Sequence, residues 1–335
     1  AFKYMVDMSW EEMLLTFQEL GGVAENIYLS NGNYGRGVFS LDPNSPSKIQ
    51  LPESLLIDSK WLSANTEEIV LKNDSPYDQK TKDFINLYLK IFSFTSKVKK
   101  QINEFEKALS SLPPEVLTLL RQLGALNLKI RHQENWEEVI FQHFIQSRFV
   151  DYNGGKCLAP VFELVNHDPQ YPVFKTGSGI STFKKEGDSE FLHSYSKGND
   201  PIRMFFGYGF SSKEPFAFSL PITITLSKNH KPIRIKGGCG IEGLIPIEER
   251  ENELILDYLP IGNKFDPTFP IRQLTATLKP FHEYHQAREL LNQGLTANQE
   301  QICNLLLLLN KSENALTISL REALYYQLSA MGFSW

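Results

Sequence analysis

Asn166-His167 closes an apolar run, Leu158-Ala159-Pro160-Val161-Phe162-Glu163-Leu164-Val165. An amide and an imidazole both donate and accept hydrogen bonds, so this pair would place two hydrogen-bonding side chains at the mouth of a buried strand. The dipeptide alone is a weak signal, because Asn229-His230 repeats it. A single buried histidine is more often structural than functional. A second stretch runs Glu190-Phe191-Leu192-His193-Ser194-Tyr195, then Ser196-Lys197-Gly198-Asn199, then Phe206-Gly207-Tyr208-Gly209-Phe210. Its two tyrosines lie among phenylalanines and glycines, which is equally the composition of an aromatic core or of an aromatic-walled pocket. A third stretch is Gly35-Arg36-Gly37-Val38-Phe39-Ser40. Paired glycines let a backbone turn tightly and approach a ligand. A plain hairpin explains them as well, since Gly177-Ser178-Gly179, Gly207-Tyr208-Gly209 and Gly238-Cys239-Gly240 have the same form. No third glycine and no helix follow Gly37, so this is not a dinucleotide-binding fingerprint.

The elements around these stretches follow from period and punctuation. Ser9-Trp10-Glu11-Glu12 is a capping box, and Leu14, Leu15, Phe17 and Leu20 continue a helix that Gly21-Gly22 stops. Ile27 to Leu29, Gly37 to Ser40 and Lys48 to Leu51 are short apolar runs between turn residues and predict strands. From about Trp61 to Val150 the period is helical, with Phe84, Leu87, Tyr88 and Ile91 on one face. Pro113-Pro114 opens a helix that ends near Gly124, and Asn135 caps another whose stripe is Trp136, Val139, Ile140 and Phe144. Strand text returns at Leu158 to Val165, Tyr171 to Thr176, Ser181 to Lys184, Glu190 to Ser194 and Ala217 to Thr225, with a hairpin turn at Gly177-Ser178-Gly179. Lys231 to Leu259 is mixed. From about Arg272 the period is helical, with a capping box at Thr296 to Gln299 and a last face of Leu320, Leu324, Leu328 and Met331 ended by Gly332.

That order predicts a mixed α+β chain: a β-fold of short strands, interrupted by a helical insert and followed by a mainly helical C-terminal domain. It is not the βαβα alternation of a parallel nucleotide-binding sheet. The expected parts are 1–60, 61–150, 151–226 and 227–335.

The totals narrow the function classes. The 335 residues are 41% hydrophobic and 22% charged, the balance of a globular chain with enough apolar residues for a large core. A net charge of −5 argues against a nonspecific grip on nucleic acid. The one basic run, Lys97-Val98-Lys99-Lys100, is a solvated helix face or a place to meet an acidic partner. Cys157, Cys239 and Cys303 form no metal-ligand pattern and no even disulfide set, so no metal is expected and a reducing intracellular compartment, the cytoplasm, is the expectation. No apolar run is long enough to span a membrane.

Taken in order, the three stretches resemble the SET domain. That family opens with a Gly-x-Gly strand pair, here Gly35-Arg36-Gly37. It continues with a proline, an acidic residue and an Asn-His pair, here Pro160, Glu163 and Asn166-His167. An aromatic element leading to a tyrosine follows, here Phe191 to Tyr195 with one extra residue, then Asn199 and a closing Tyr208-Gly209-Phe210. The split by a helical stretch and the helical C-terminus resemble the subgroup of Rubisco large-subunit and actin-histidine methyltransferases. Glu163 stands where that subgroup has Asp, and Ser196 where Gly is common.

The resemblance implies an S-adenosyl-L-methionine-dependent N-methyltransferase that acts on a protein side chain, lysine first, docked by the C-terminal helical domain of a monomer. Gly35, Arg36, Gly37, Glu163, Asn166, His167, Tyr195 and Tyr208 are its implied cofactor residues. Tyr195 is its implied catalytic group, and Phe162, Phe206, Tyr208 and Phe210 its implied channel wall. The alternatives keep the cofactor but change the acceptor to histidine, an N-terminal amine or a small molecule, change the reaction, or leave a binding module without turnover.

Overall fold

The computed structural model describes residues 8–64, 68–122, 135–184, 186–226, 231–281, 286–311 and 313–333. The stop expected near Gly124 lies outside them. The chain starts with α1 (Trp10–Glu19), whose capping box forms as the sequence predicts: Glu12 N–H donates to Ser9 Oγ at 3.2 Å, and Ser9 N–H donates to Glu12 Oε2 at 2.8 Å. The strands β1 (Val23–Glu25), β2 (Ile27–Gly32), β3 (Gly35–Ser40), β4 (Lys48–Pro52), β5 (Ile57–Asp58), β6 (Leu62–Ala64) and β7 (Ile69–Leu71) follow. Helices α2 (Gln79–Tyr88), α3 (Ser96–Ser110), α4 (Pro114–Gln122) and α5 (Trp136–Arg148) come next. The antiparallel pair β6–β7 stands where a helical period was expected. Ile69-Val70-Leu71, with two β-branched residues, is a strand-forming run too short to show its own period.

The chain divides into two compact units, Ala1–Glu106 with His132–Tyr195, and Lys107–Arg131 with Ser196–Trp335. In the first, strands from before and after the helical stretch pair with each other. The strand β12 (Gly179–Phe183) runs antiparallel to β4, in register Gly179 with Pro52 through Phe183 with Lys48, and its hairpin partner is β11 (Lys175–Gly177). Likewise β9 (Gly155–Leu158) pairs with β5 and with β8 (Val150–Tyr152). One core lies beneath these sheets and takes in Phe17, Val38, Leu51, Phe84, Tyr88, Phe144 and Phe162, each almost wholly buried. The buried face of α2 is Phe84, Ile85 and Tyr88, and it continues through a π-helical turn, Leu89–Ser93, to Leu89 and Phe92. Leu87 and Ile91, expected on that face, are only partly covered.

The second unit carries α6 (Pro201–Tyr208), a strand pair of β14 (Phe216–Phe218) with β19 (Pro260–Asn263), and a four-stranded sheet. That sheet has the order β15 (Ile222–Ile224), β16 (Ile233–Ile235), β18 (Leu254–Leu256), β17 (Ile247–Glu249). Helices α4, α7 (Phe269–Leu278), α8 (Ala287–Leu309) and α9 (Ala315–Ala330) complete it. The C-terminal region therefore contains a sheet as well as helices, and the single strand expected over Ala217 to Thr225 is two. The capping box expected at Thr296 does not form, because α8 runs through it. Asn298, fully buried inside that helix, donates to Gly294 O and Ser219 Oγ and accepts Leu220 N–H, each at 2.8 Å. A polar residue satisfied on all sides can sit mid-helix without ending it.

Candidate active site

The run expected as one strand over Leu158 to Val165 breaks in two. The strand β9 stops at Leu158, Val161 turns left-handed with φ of 68°, and Phe162–Leu164 form a 3-10 turn. A positive φ is costly for a β-branched residue and persists only where neighbours over-determine it. Here the neighbour is Tyr88, whose hydroxyl accepts Val161 N–H at 2.9 Å and donates to Glu163 Oε1 at 2.7 Å. Arg148 Nη1 meets Glu163 Oε2 at 3.2 Å. Glu163, expected at the cofactor, thus has both carboxylate oxygens engaged by α2 and α5. Burial, and then the Glu163 charge, hold the Tyr88 phenol well above its ordinary pKa.

The turn delivers Asn166-His167 as the short strand β10, parallel to β13 (Leu192–His193) with Asn166 opposite Leu192 and His167 opposite His193. The segment before β13 also runs along β3: Phe191 N–H donates to Val38 O and Ser40 N–H to Ser189 O, both at 2.8 Å. Residues 189–193 therefore lie between β3 and β10, and three distant stretches meet at one place. Asn166 Nδ2 donates to Glu190 Oε1 at 2.8 Å and to the Arg36 carbonyl at 3.4 Å.

Gly37 is what lets them approach. A Cβ there would lie 2.4 Å from Asn166 Nδ2 and 2.8 Å from Glu190 Oε1, closer than atoms can pack. Gly35 is required for a different reason, its φ of 93°, with open space around it. The Arg36 side chain reaches to the Phe92 carbonyl, so what Arg36 offers to the cluster is its backbone oxygen.

Tyr195 follows immediately after this segment. Its backbone N–H donates to His167 Nδ1 at 3.1 Å, and its hydroxyl donates to the Val165 carbonyl at 3.0 Å. Since Nδ1 accepts, the neutral His167 ring carries its proton on Nε2. The Tyr195 ring lies 4.9 Å from His167 and 5.3 Å from His193. Phe162 packs edge-on to His193 at 4.8 Å, so this expected wall residue does stand against the tyrosine's neighbour.

Phe206, Tyr208 and Phe210 belong to the second unit. Phe206 is buried on α6, and Gly209 ends that helix in the left-handed conformation, donating to Phe205 O at 2.9 Å. The Tyr208 and Phe210 rings are 6.2 Å apart, and Phe210 is exposed. Asn199 donates to the Met204 sulfur at 3.0 Å. The helix itself escaped the strand reading of this region, although Asp200-Pro201 is an N-cap followed by an N1 proline: Arg203 N–H donates to Asp200 Oδ1 at 2.8 Å.

Two residues of the cluster were not singled out by spacing. Glu190 is half-buried, and burial raises its carboxyl pKa while the Asn166 hydrogen bond acts in the opposite sense. His193 is buried, its Nδ1 has no hydrogen-bond partner, and burial with some help from His167 lowers its pKa to about 3. Both lie in the quoted run up to Tyr195, and their burial was the missing information. Acceptor oxygens from Arg36 and Glu190, a positioned amide and an aromatic floor form a site suited to a cationic small molecule.

No family model and no curated protein matches the chain. Among solved structures it is similar to Rubisco LSMT bound to AdoMet, at 12% identity over 98% of this chain and 91% of that one, with a TM-score of 0.46. It is also similar to the SET domain of LSMT bound to lysine and AdoHcy, at 12% identity over 96% and 90% of the two chains, with a TM-score of 0.44. Among the described residues no helix is long and apolar enough to cross a membrane, and no group of three His, Cys, Asp or Glu side chains is placed to hold a metal ion.

Proposed function

We propose that the protein is a SET-type N-methyltransferase that uses S-adenosyl-L-methionine and methylates a protein side chain, with lysine the expected acceptor. The observation that carries this reading is the meeting of Arg36 O, Asn166 Nδ2 and Glu190 Oε1 in one hydrogen-bonded cluster next to the His167–Tyr195 pair. Three motifs that resemble a family only by their order in sequence share one place in space.

The donor set fits the cofactor. Its amino-acid end is an ammonium beside a carboxylate, and carbonyl, carboxylate and amide groups are the partners such a group needs. The missing Cβ of Gly37 keeps the approach to Asn166 clear. When bound, S-adenosyl-L-methionine supplies an electrophilic methyl group on a sulfonium. In this reading Asn166, the Arg36 carbonyl and Glu190 hold its amino-acid end. The Tyr195 hydroxyl, anchored by the Val165 carbonyl, sits where it can orient the incoming nitrogen. Phe162 and His193 exclude water from behind the tyrosine. A free lysine arrives charged, with a pKa of about 10.4, and an apolar site favours the neutral nucleophile.

Mass spectrometry after incubation of the protein and a cell lysate with methyl-deuterated S-adenosyl-L-methionine tests this. A labelled methyl on a lysine Nζ is the expected product. Label on histidine or on a small molecule changes the acceptor, and no label in any fraction despite cofactor binding supports a binding module.

A further inference from the structure

The first unit contains a cavity of about 470 Å³, lined by none of the residues just described. It lies where α3 and the first turns of α5 face each other. On α3, Ser96, Lys99, Lys100 and Asn103 recur at i, i+3, i+4 and i+7, so all four share one helix face. On α5, Trp136, Ile140 and Phe141 turn toward it, and the buried Phe94 completes an apolar floor. The Trp136 indole N–H is already taken by Asn103 Oδ1 at 2.7 Å. That bond satisfies the ring's only donor and ties the two helices together across the cavity. Among the described residues, the charged lining is Lys99, Lys100 and Glu137. Lys100 also has Glu104 at 3.8 Å, an exposed pair of little strength.

The basic run of the sequence is thus more than a solvated helix face, because two of its lysines stand at the mouth of an aromatic-floored cavity. A volume of this size with an apolar interior and a few polar groups at one side is what a small-molecule site requires. An occupant must bury an apolar body against Trp136, Phe94, Ile140 and Phe141 while keeping an anion beside Lys99 and Lys100. We infer that this cavity binds a small anionic amphiphile, an aromatic or acyl body ending in one carboxylate, sulfonate or phosphate. This inference does not rest on the methyltransferase reading.

Titration of the full chain with 1-anilinonaphthalene-8-sulfonate, followed by fluorescence, tests it. N-phenyl-1-naphthylamine serves as the same body without the anion, and decanoate as a non-fluorescent competitor. The inference predicts one saturable site that decanoate empties. The double variant K99Q/K100Q, which changes the half-buried Lys99 and the exposed Lys100, weakens the sulfonate about tenfold and the neutral probe less than about twofold. Ala64→Trp, which fills the cavity from an exposed lining position, removes both probes. Its cooperative melting stays unchanged. Equal loss of both probes in K99Q/K100Q overturns the anionic requirement. Undiminished probe binding in a folded Ala64→Trp variant, or no saturable site in the parent protein, overturns the site itself. If Ala64→Trp fails to fold, the lysine variants and decanoate competition decide alone.

Discussion

His167 Nδ1 accepts the backbone N–H of Tyr195 at 3.1 Å. The bond fixes the imidazole tautomer and pins Tyr195 to the strand that carries Asn166. It also makes the orientation of the tyrosine ring a property of two separated sequence motifs. The hydroxyl is held in turn by the Val165 carbonyl, one residue before Asn166.

Tyr195→Phe keeps the ring and its packing on His167 and His193 but removes the hydroxyl. Methyl transfer should fall about 10²-fold while cofactor affinity changes little, because a preorganised group acts on the reacting atoms more than on the bound state. Single-turnover rates with labelled cofactor check this. An undiminished rate contradicts the role.

The two glycines of the hairpin should fail differently. Gly37→Ala drives a methyl into Asn166 Nδ2 and Glu190, so it should weaken cofactor binding about tenfold or more. Gly35→Ala meets open space and pays only for a left-handed backbone, about 1 kcal/mol of stability, with cofactor affinity preserved. Calorimetry and urea denaturation on both variants separate the effects.

Tyr88, Glu163 and Arg148 form a buried brace under the strained Val161. Tyr88→Phe leaves a buried carboxylate with one partner fewer and Val161 N–H with none, and should cost about 2–4 kcal/mol of stability. Glu163→Gln retains an acceptor for Tyr88 and should cost less, about 1–2 kcal/mol, with cofactor affinity nearly unchanged. Urea unfolding measures the first. A large affinity loss in Glu163→Gln with no loss of stability would return Glu163 to the cofactor role its motif implies.

His193 sets a pH dependence. Its folded pKa of about 3 lies below the ordinary 6.5, so as pH falls the unfolded chain binds the proton first. The stability held by the neutral ring is intact above pH 6.5 and is lost progressively below it, down to about pH 3. Between pH 6.5 and 4.5 the parent protein should lose about 2 kcal/mol more than His193→Leu. Parallel slopes in the two proteins over that window would contradict the assignment.

Much of this arrangement was legible before any coordinates. Caps are local, so Ser9 and Asn135 declared their helices. The glycine hairpin and several strands are marked in sequence by short apolar runs between turn residues. The failures have physical causes. Val161 turns left-handed because Tyr88, 73 residues away, holds its N–H, and nothing in the run Leu158 to Val165 encodes that. The sequence 201–208 is rich in aromatics and reads as aromatic core or pocket wall, yet Asp200 and Pro201 cap a helix there. The capping box expected at Thr296 to Gln299 is overridden because the partners that hold Asn298 inside the helix, Ser219 and Leu220, lie far back in the chain. Of the site, the residue types and their order were visible. Glu190 and His193 were not singled out, because their importance comes from burial against other strands.

Calorimetric titration of S-adenosyl-L-methionine into the parent protein and into Asn166→Ala tests the central claim most directly. The account predicts one binding site in the parent and an affinity about tenfold or more lower in the variant, because the amide that joins Arg36 and Glu190 is gone. No binding to the parent protein, or equal affinity in a folded Asn166→Ala variant, would contradict it.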